Sequence, residues 1–364
     1  MTEPLHSGRD SVADAPVSGA AHAMRMLLAV AIAVAGAVVC IGIHAPLPWL
    51  IGPLVAVALV SMLHARLAVP PAARQLGQWA IGVALGLYFS PEVMREVVRL
   101  APWLLLAILF AIMLGAVGSW ALARATGTDG TTAFFAMAIG GASEMATQAQ
   151  RHGGRVDRVA AAHSLRILIV VVTIPFAYQA LGIHGVDVAA PAVQQVSAAG
   201  LLALLALSAA GMALLAWLGT PNPWVLGALG STALVTALGV ELSALPRWAS
   251  NAGQLFIGVA LGVRFTPDFV RAAPRWLAAV ALGTLAMIVA SAAFAAALAR
   301  GAGLHWATVL LGTSPGGIAE MCITAKVLQL GVPVVTAFHV TRYVAVVLLT
   351  TPLYRWEARR GRRA

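Results

Sequence analysis

Apolar stretches of about twenty residues follow one another along almost the whole chain, separated by short polar breaks. About 20 apolar residues are needed for a helix to span the hydrocarbon core of a bilayer. The stretches are too long and too evenly apolar for the alternating strands of a membrane barrel. The pattern therefore predicts an all-α, multi-pass membrane protein with apolar segments at roughly residues 25–44, 47–65, 75–90, 101–124, 130–150, 158–180, 194–218, 222–240, 250–266, 275–299, 305–326 and 333–354.

The second half of the chain repeats the first. The run Ile81–Gly86 returns unchanged as Ile257–Gly262, and Pro48–Gly52 (PWLIG) returns as Pro223–Gly227 (PWVLG). Matches in this order over more than a hundred residues indicate an internal duplication. We therefore predict two homologous repeats of about six apolar segments each, at residues 24–180 and 194–354, joined by a linker at residues 181–193.

The two ends of the chain differ from the repeats. Residues 1–23 are small and polar, which predicts a disordered N-terminal tail, and residues 355–364 form a basic tail that we place in the cytoplasm.

Composition excludes an ordinary soluble domain, because only 10% of the residues are charged and 60% are hydrophobic. The net charge of +10 comes largely from arginines at segment ends, which favours topology signals and lipid headgroup contacts over a nucleic-acid surface.

Paired glycines interrupt the fifth segment of each repeat. Gly140 and Gly141 break the first copy, and Pro315, Gly316 and Gly317 break the second. Each fifth segment is then either a broken crossing helix or a re-entrant hairpin, since irregular backbone at membrane depth must be buried in protein or line a cavity. With hairpins, each repeat crosses five times and the repeats are inverted, which the distribution of basic residues mildly favours.

A second feature repeats together with the glycines. Each glycine pair is followed by a glutamate, and nineteen residues later by a histidine that precedes an arginine by three positions. Ionisable groups inside membrane segments are costly and usually mark function. The predicted substrate- or ion-binding residues are therefore Gly140, Gly141, Glu144, His163, Arg166, Gly316, Gly317, Glu320, His339 and Arg342.

Structural roles compete with this interpretation. Glu144 and Glu320 would fall in the first turn of the half-helix after the break, where an acid can simply cap the helix. Arg166 and Arg342 need anionic partners in an apolar segment, either these glutamates or a bound anion. The histidines could relay protons or be hydrogen-bonded core residues.

Signals for enzymatic chemistry are absent from the sequence. The chain contains no His-x-x-x-His or Cys-x-x-Cys pair and no phosphate-binding loop of the Walker type. We therefore expect no catalytic residues, no metal and no cofactor.

The sequence resembles the bacterial AbrB membrane protein family, whose members carry an internal duplication. The resemblance rests on Pro48–Pro53, on Gln75–Gln78 leading into Ile81–Gly86, and on the stretches GGASEM and PGGIAEM. Such proteins are labelled regulators of gene expression and, in some cases, ammonia monooxygenases. The residues themselves supply neither the clustered ligands of an oxygenase nor a soluble DNA-reading domain.

The favoured function is a secondary transporter of the bacterial inner membrane, with a mid-membrane site for a small solute or ion between the repeats. The half-helix ends and arginines suit an anionic substrate, and the sequence does not separate anion transport from proton- or sodium-coupled transport of a neutral solute. A membrane sensor that affects gene expression indirectly is the alternative, and a monooxygenase is the least favoured. The expected partners are the lipid bilayer and a small-molecule or ion substrate, without direct nucleic-acid contact; homo-oligomerisation is left open.

Overall fold

The computed structural model describes residues 19–63, 67–185, 191, 195–267 and 274–361, without the side chains of Pro71 and of residues 355–361. These residues form fifteen α-helices and no strand. The helices are α1 Gly19–Gly42, α2 Pro48–Met62, α3 Pro71–Gly86, α4 Pro91–Arg99, α5 Ala101–Thr126, α6 Gly130–Met137, α7 Ala142–Arg151, α8 Val156–Ala180, α9 Ala198–Trp217, α10 Pro223–Ala237, α11 Arg247–Gly262, α12 Pro274–Ala302, α13 Trp306–Thr313, α14 Ile318–Val327 and α15 Val332–Gly361.

Six of the described helices are long and apolar enough to cross a membrane, namely α1, α5, α8, α9, α12 and α15. Two shorter apolar helices, α2 and α10, occupy equivalent places in the two halves. Large apolar side chains such as Leu27 and Leu202 point outwards, at 66% and 70% exposure. An outward apolar surface on this scale requires lipid, so the predicted multi-pass helical membrane protein is confirmed.

Several boundaries of the predicted tails and linker differ from those in the structure. Helix α1 begins at Gly19, within the stretch assigned to the tail, because Ala20, Ala21 and Ala23 are strong helix formers. Residues 1–18 lie outside the described part. In the linker region, residues 186–190 and 192–194 are likewise not described, and α9 begins at Ala198. At the other end, the backbone of α15 continues helically to Gly361 and so includes most of the basic tail.

Each half of the chain packs against the other through equivalent helix–helix contacts. A Cβ added to Gly82 of α3 would lie 2.6 Å from the carbonyl oxygen of Val225 in α10. A Cβ added to Gly258, the copy of Gly82, would lie 2.6 Å from the carbonyl oxygen of Leu50, the copy of Val225. The repeated IGVALG stretches are therefore faces where backbones approach closely, as small residues in membrane helices permit. This reciprocal packing is consistent with a two-fold relation between the repeats.

The fifth segment of each repeat is a re-entrant hairpin. Thr132 in α6 and Arg155, just after α7, would be about 35 Å apart in a continuous helix. Instead the backbone N–H of Arg155 donates to Oγ1 of Thr132 at 2.9 Å. In the second copy, a Cβ added to Gly331 would lie 3.0 Å from Cγ2 of Thr308. Each segment therefore returns to the side it entered from, as the re-entrant alternative predicts.

Helix α4 carries charges outside the apolar segments. Its N-cap Ser90 accepts a hydrogen bond from the N–H of Val93, and Glu92 stands in its first turn. The pKa of Glu92 is lowered by hydrogen bonds from its backbone N–H and from Ser90. Arg95 and Arg99 pair with Glu92 and Glu96 at 3.5 Å on its exposed face. These features fit a short helix at the membrane interface; residues 268–273 of its expected copy lie outside the described part.

Candidate functional site between two re-entrant hairpins

Two hairpins form the centre of the molecule. The first hairpin consists of α6 and α7, with its tip at Ala138–Gly141, and the second consists of α13 and α14, with its tip at Ser314–Gly317. At each tip the second glycine is the N-cap of the following half-helix, in an extended conformation. The tips expose carbonyl groups of the first half-helix and N–H groups of the second, and both sets need partners.

In the first repeat, Arg166 and His163 of α8 supply the partners for the carbonyl groups. Arg166 donates to the carbonyl oxygens of Ala136, Met137 and Ala138 at 3.4, 3.4 and 3.1 Å. His163 contacts the carbonyl oxygen of Phe135 through Nε2 at 2.9 Å. Both side chains are buried, at 3% and 0% exposure. They therefore hold the broken end of α6 against α8.

The second repeat uses the same residues in the same way. Arg342 donates to the carbonyl oxygens of Ser314 and Gly316 at 2.6 and 2.8 Å. His339 contacts the carbonyl oxygen of Leu311 through Nε2 at 2.8 Å. The predicted His–Arg spacing on one helix face is thus used to bind the tip of the preceding hairpin.

The hydrogen bonds also fix the tautomer of each histidine. A carbonyl oxygen can only accept, so Nε2 of His163 and of His339 carries the hydrogen. Nδ1 of each ring lies 2.9 or 2.8 Å from the guanidinium of Arg166 or Arg342, which can only donate. Both rings are therefore neutral, and a second proton would break the bond to arginine. This geometry favours a positioning role over the proton relay considered from the sequence.

The glutamates lie in the first turn of α7 and α14, as predicted, but they do not pair with the arginines. A Cβ added to Gly141 would collide with the carboxylate of Glu144, and a Cβ on Gly317 would collide with that of Glu320. Each carboxylate therefore folds back over the N-terminus of its own half-helix, and the second glycine leaves room for it. Within the described residues, no ion pair joins either carboxylate to Arg166 or Arg342, because backbone carbonyls take the place of the expected anion.

A single cavity of 70 Å³ lies between the two hairpin tips. We call it the central cavity. Seven of the ten predicted residues line it: Gly140, Gly141, Arg166, Gly316, Gly317, Glu320 and Arg342. The other three lie outside its wall. His163 and His339 stand behind the arginines, and Glu144 is half-buried beside the ring of Tyr343.

The central cavity also contains polar residues that sequence reasoning missed. Arg74, Gln78, Asn222 and Tyr343 line it, and none of them is among the ten predicted site residues. Arg74 precedes Gln78 by one helical turn in α3, so the two share a face. That spacing is the available signal, but an arginine at a segment end is also typical of a topology signal.

The charge balance of the central cavity is positive. Three arginines line it, Arg74, Arg166 and Arg342, against one glutamate, Glu320, which gives a formal charge of +2. Arg166 and Arg342 are close enough for their charges to interact, and Arg264 also acts on Glu320. The N-termini of α7 and α14 add positive ends of two helix dipoles. An anion would therefore be stabilised in this cavity.

A second, more open cavity of 420 Å³ lies beside the first hairpin, and we call it the vestibule. Its polar lining residues are Ser143, Asp157, Ser164 and Arg264. Polar groups of this kind indicate contact with water. Arg264 lines the vestibule and is close enough to Glu320 of the central cavity for their charges to interact.

These features define a class of protein. The chain is a multi-pass helical membrane protein with paired re-entrant hairpins whose tips enclose a polar cavity. Among the described residues, no three His, Cys, Asp or Glu side chains lie together as a metal site would require.

Comparison with known proteins identifies the family. Residues 49–358 match the family described as "Transition state regulatory protein AbrB", and the chain belongs to this AbrB family. It is 28% identical to "Uncharacterized protein YhjN" of Bacillus subtilis (strain 168) over 335 residues, covering 84% of this chain and 86% of the relative. It is 26% identical to "Putative regulator AbrB" of Escherichia coli (strain K12) over 320 residues, covering 86% and 90%. No solved structure matches the chain.

Proposed function

We propose that this protein is a secondary transporter of the bacterial inner membrane that moves a small anionic solute through the central cavity. One observation carries the proposal: both copies of the duplicated motif meet at a single cavity with an excess of positive charge. In transporters with inverted repeats, the substrate site lies near mid-membrane, where broken helices direct their N-termini at anionic groups.

Among the described residues that line the central cavity, part of the positive charge has no negative partner. Two buried guanidinium groups beside each other repel, and backbone carbonyls offset only part of this cost. A bound anion would lower it, while the vestibule gives a polar path towards the site from the side of the first hairpin. A substrate that enters from one side and leaves from the other needs no ATP-binding motif in this chain, and none is present.

Transport by purified protein in proteoliposomes tests the proposal. Chloride, acetate, succinate and inorganic phosphate are each offered as a labelled solute on one side. Uptake of at least one of them above that of empty liposomes is expected. Arg74→Gln should reduce that uptake about tenfold or more, since it removes a cavity charge that makes no hydrogen bond to a hairpin tip.

Arg95→Gln is the matched control, because Arg95 has the same charge but lies exposed on α4. Equal uptake by Arg74→Gln and Arg95→Gln would contradict a site in the central cavity. Unaltered uptake in the double variant Glu144→Gln, Glu320→Gln would also contradict it.

A regulatory function is the second candidate, and the names of the family and of the Escherichia coli relative favour it. In that case the protein would sense a ligand or the membrane and act on gene expression through a cytoplasmic partner of the C-terminal end of α15. Removal of residues 355–364 separates the two functions. A regulator loses its expression phenotype, whereas a transporter retains full uptake.

A further inference from the structure

The carboxylate of Glu320 occupies the place in the central cavity where an anion would be bound best. It folds back over Gly317 onto the first turn of α14. The first intrahelical bond of α14 runs from the N–H of Met321 to the carbonyl of Gly317. The N–H groups of Ile318 and Ala319 therefore lack helical partners and are directed at the same region.

Unpartnered arginine donors belong to two residues that line the same cavity. Nε of Arg342 and Nε of Arg166 are buried and have no hydrogen-bond partner, although the other nitrogens of both guanidinium groups are bonded. The two side chains are 5% and 3% exposed, and both line the cavity beside Glu320. Buried donors without partners are costly and require an explanation such as a bound acceptor.

The side chains around Glu320 can hold its carboxylate in a second position. Arg74 on α3, which lines the same cavity, and Arg264 after α11 both act on its charge. Moving the carboxylate towards them would exchange one favourable electrostatic environment for another. The helix N-terminus would then be free for a different acceptor, in the same cavity as the arginine Nε donors that Glu320 leaves without a partner.

We propose that Glu320 is an internal competitor for a substrate carboxylate, and that the substrate binds by displacing the Glu320 carboxylate from the N-terminus of α14. The inference rests on the proposed transport function and adds the substrate class, a small carboxylate, and the residue that controls access to it. The carboxylate class follows from the group that fills the position now.

Two variants test the position by different means. Glu320→Gln removes the competing charge and keeps the size of the side chain. Gly317→Ala adds a methyl group where the carboxylate now lies, at a backbone conformation (φ −82°, ψ 159°) that alanine adopts freely. That methyl group excludes the Glu320 carboxylate and a substrate carboxylate alike, and the variant should still fold because the atom that must move is the far end of a flexible side chain.

The experiment measures acetate affinity of the full-length protein in detergent, from the rise in unfolding temperature as acetate is titrated. Glu320→Gln should bind acetate about tenfold more tightly than the wild type, since it removes a favourable carboxylate–helix interaction that acetate must otherwise replace. Gly317→Ala should bind acetate about tenfold more weakly than the wild type, because its methyl group occupies the place that acetate would take. Glu92→Gln, an exposed glutamate in the first turn of α4, is the control and should bind like the wild type.

Four outcomes overturn the inference. Equal affinity in the wild type and Glu320→Gln would show that Glu320 does not compete. Unchanged affinity in Gly317→Ala would show that acetate binds elsewhere. Weaker binding in Glu320→Gln would make the carboxylate part of the site. Tight binding of phosphate or chloride without acetate would refute the carboxylate class. Each of these leaves transport itself intact, whereas absence of uptake for every solute in proteoliposomes refutes the transport function.

Discussion

The two hairpins share one motif but differ in their surroundings. In the second hairpin, every residue from Ile318 to Ala325 is buried. In the first, only Ala142, Met145 and Ala149 of α7 are buried, and Glu144 is half-buried next to the vestibule. The sequences explain part of the difference, because α7 reads ASEMATQAQR and α14 reads IAEMCITAKV. One hairpin is thus open on one side, while its copy is enclosed.

The packing between the repeats does not show this difference. Gly82 with Val225 and Gly258 with Leu50 make equivalent backbone contacts. The tips also contact equivalent residues, since Gly140 faces Val346 of α15 and Gly316 faces Val170 of α8. The scaffold therefore keeps the two-fold relation and the hairpins depart from it. In the proposed transporter, this is the arrangement of a state open on the side of the first hairpin.

The largest predicted effect concerns the arginines that hold the hairpin tips. Arg342→Ala should cost about 3–6 kcal/mol of stability, since it removes two short charge-assisted bonds to Ser314 and Gly316. Arg166→Ala should cost clearly less, because its bonds are 3.1–3.4 Å long. Thermal unfolding in detergent measures both. Lysine at each position should give an intermediate loss, and equal losses for the two alanine variants would remove this part of the asymmetry.

The reciprocal glycine contacts should respond equally. Gly82→Ala and Gly258→Ala each place a methyl group 2.6 Å from a backbone carbonyl oxygen, and overpacking of this kind costs about 1–3 kcal/mol. The same unfolding assay should give the same loss for both variants. A marked difference between them would show that the scaffold is also asymmetric.

Thiol accessibility tests the difference between the hairpins directly. Ser143 is exposed at the vestibule, and its copy Ala319 is only 5% exposed. With Cys40 and Cys322 replaced by alanine, Ser143→Cys should react with a membrane-impermeant thiol reagent about tenfold or more faster than Ala319→Cys. Reagent is applied to each side of the membrane in turn. Similar rates at both positions would mean that the second hairpin opens as readily as the first.

The smallest effect is expected at α4, away from both hairpins. Glu92 and Arg95 form an exposed pair, with side chains 71% and 73% exposed, and such pairs contribute little. Glu92→Gln should leave the unfolding temperature and solute uptake unchanged. A clear loss of uptake would instead place α4 within the transport path.

The sequence was sufficient to predict the elements and part of the candidate site. Segment lengths predicted the helices and glycine pairs predicted the breaks. Of the ten predicted site residues, four glycines, two arginines and one glutamate line the central cavity. The sequence-based prediction failed where the hydrogen-bond partner of a charged side chain was a backbone carbonyl group. Sequence reasoning sought an anion for Arg166, whereas the carbonyl groups of a broken helix end supply acceptors that no residue type reveals. Arg74 was missed because its role depends on where α3 packs.

The sequence by itself determined that this protein is a duplicated, multi-pass helical membrane protein, because apolar run length and internal repetition are properties of the chain alone. It also fixed the positions of the helix breaks, since glycine pairs and proline weaken helices locally. Only the tertiary structure decided that the fifth segments return as hairpins and that their tips share one cavity. It also decided that one hairpin is enclosed while its copy is open, because burial depends on which helices of the other repeat lie against each hairpin.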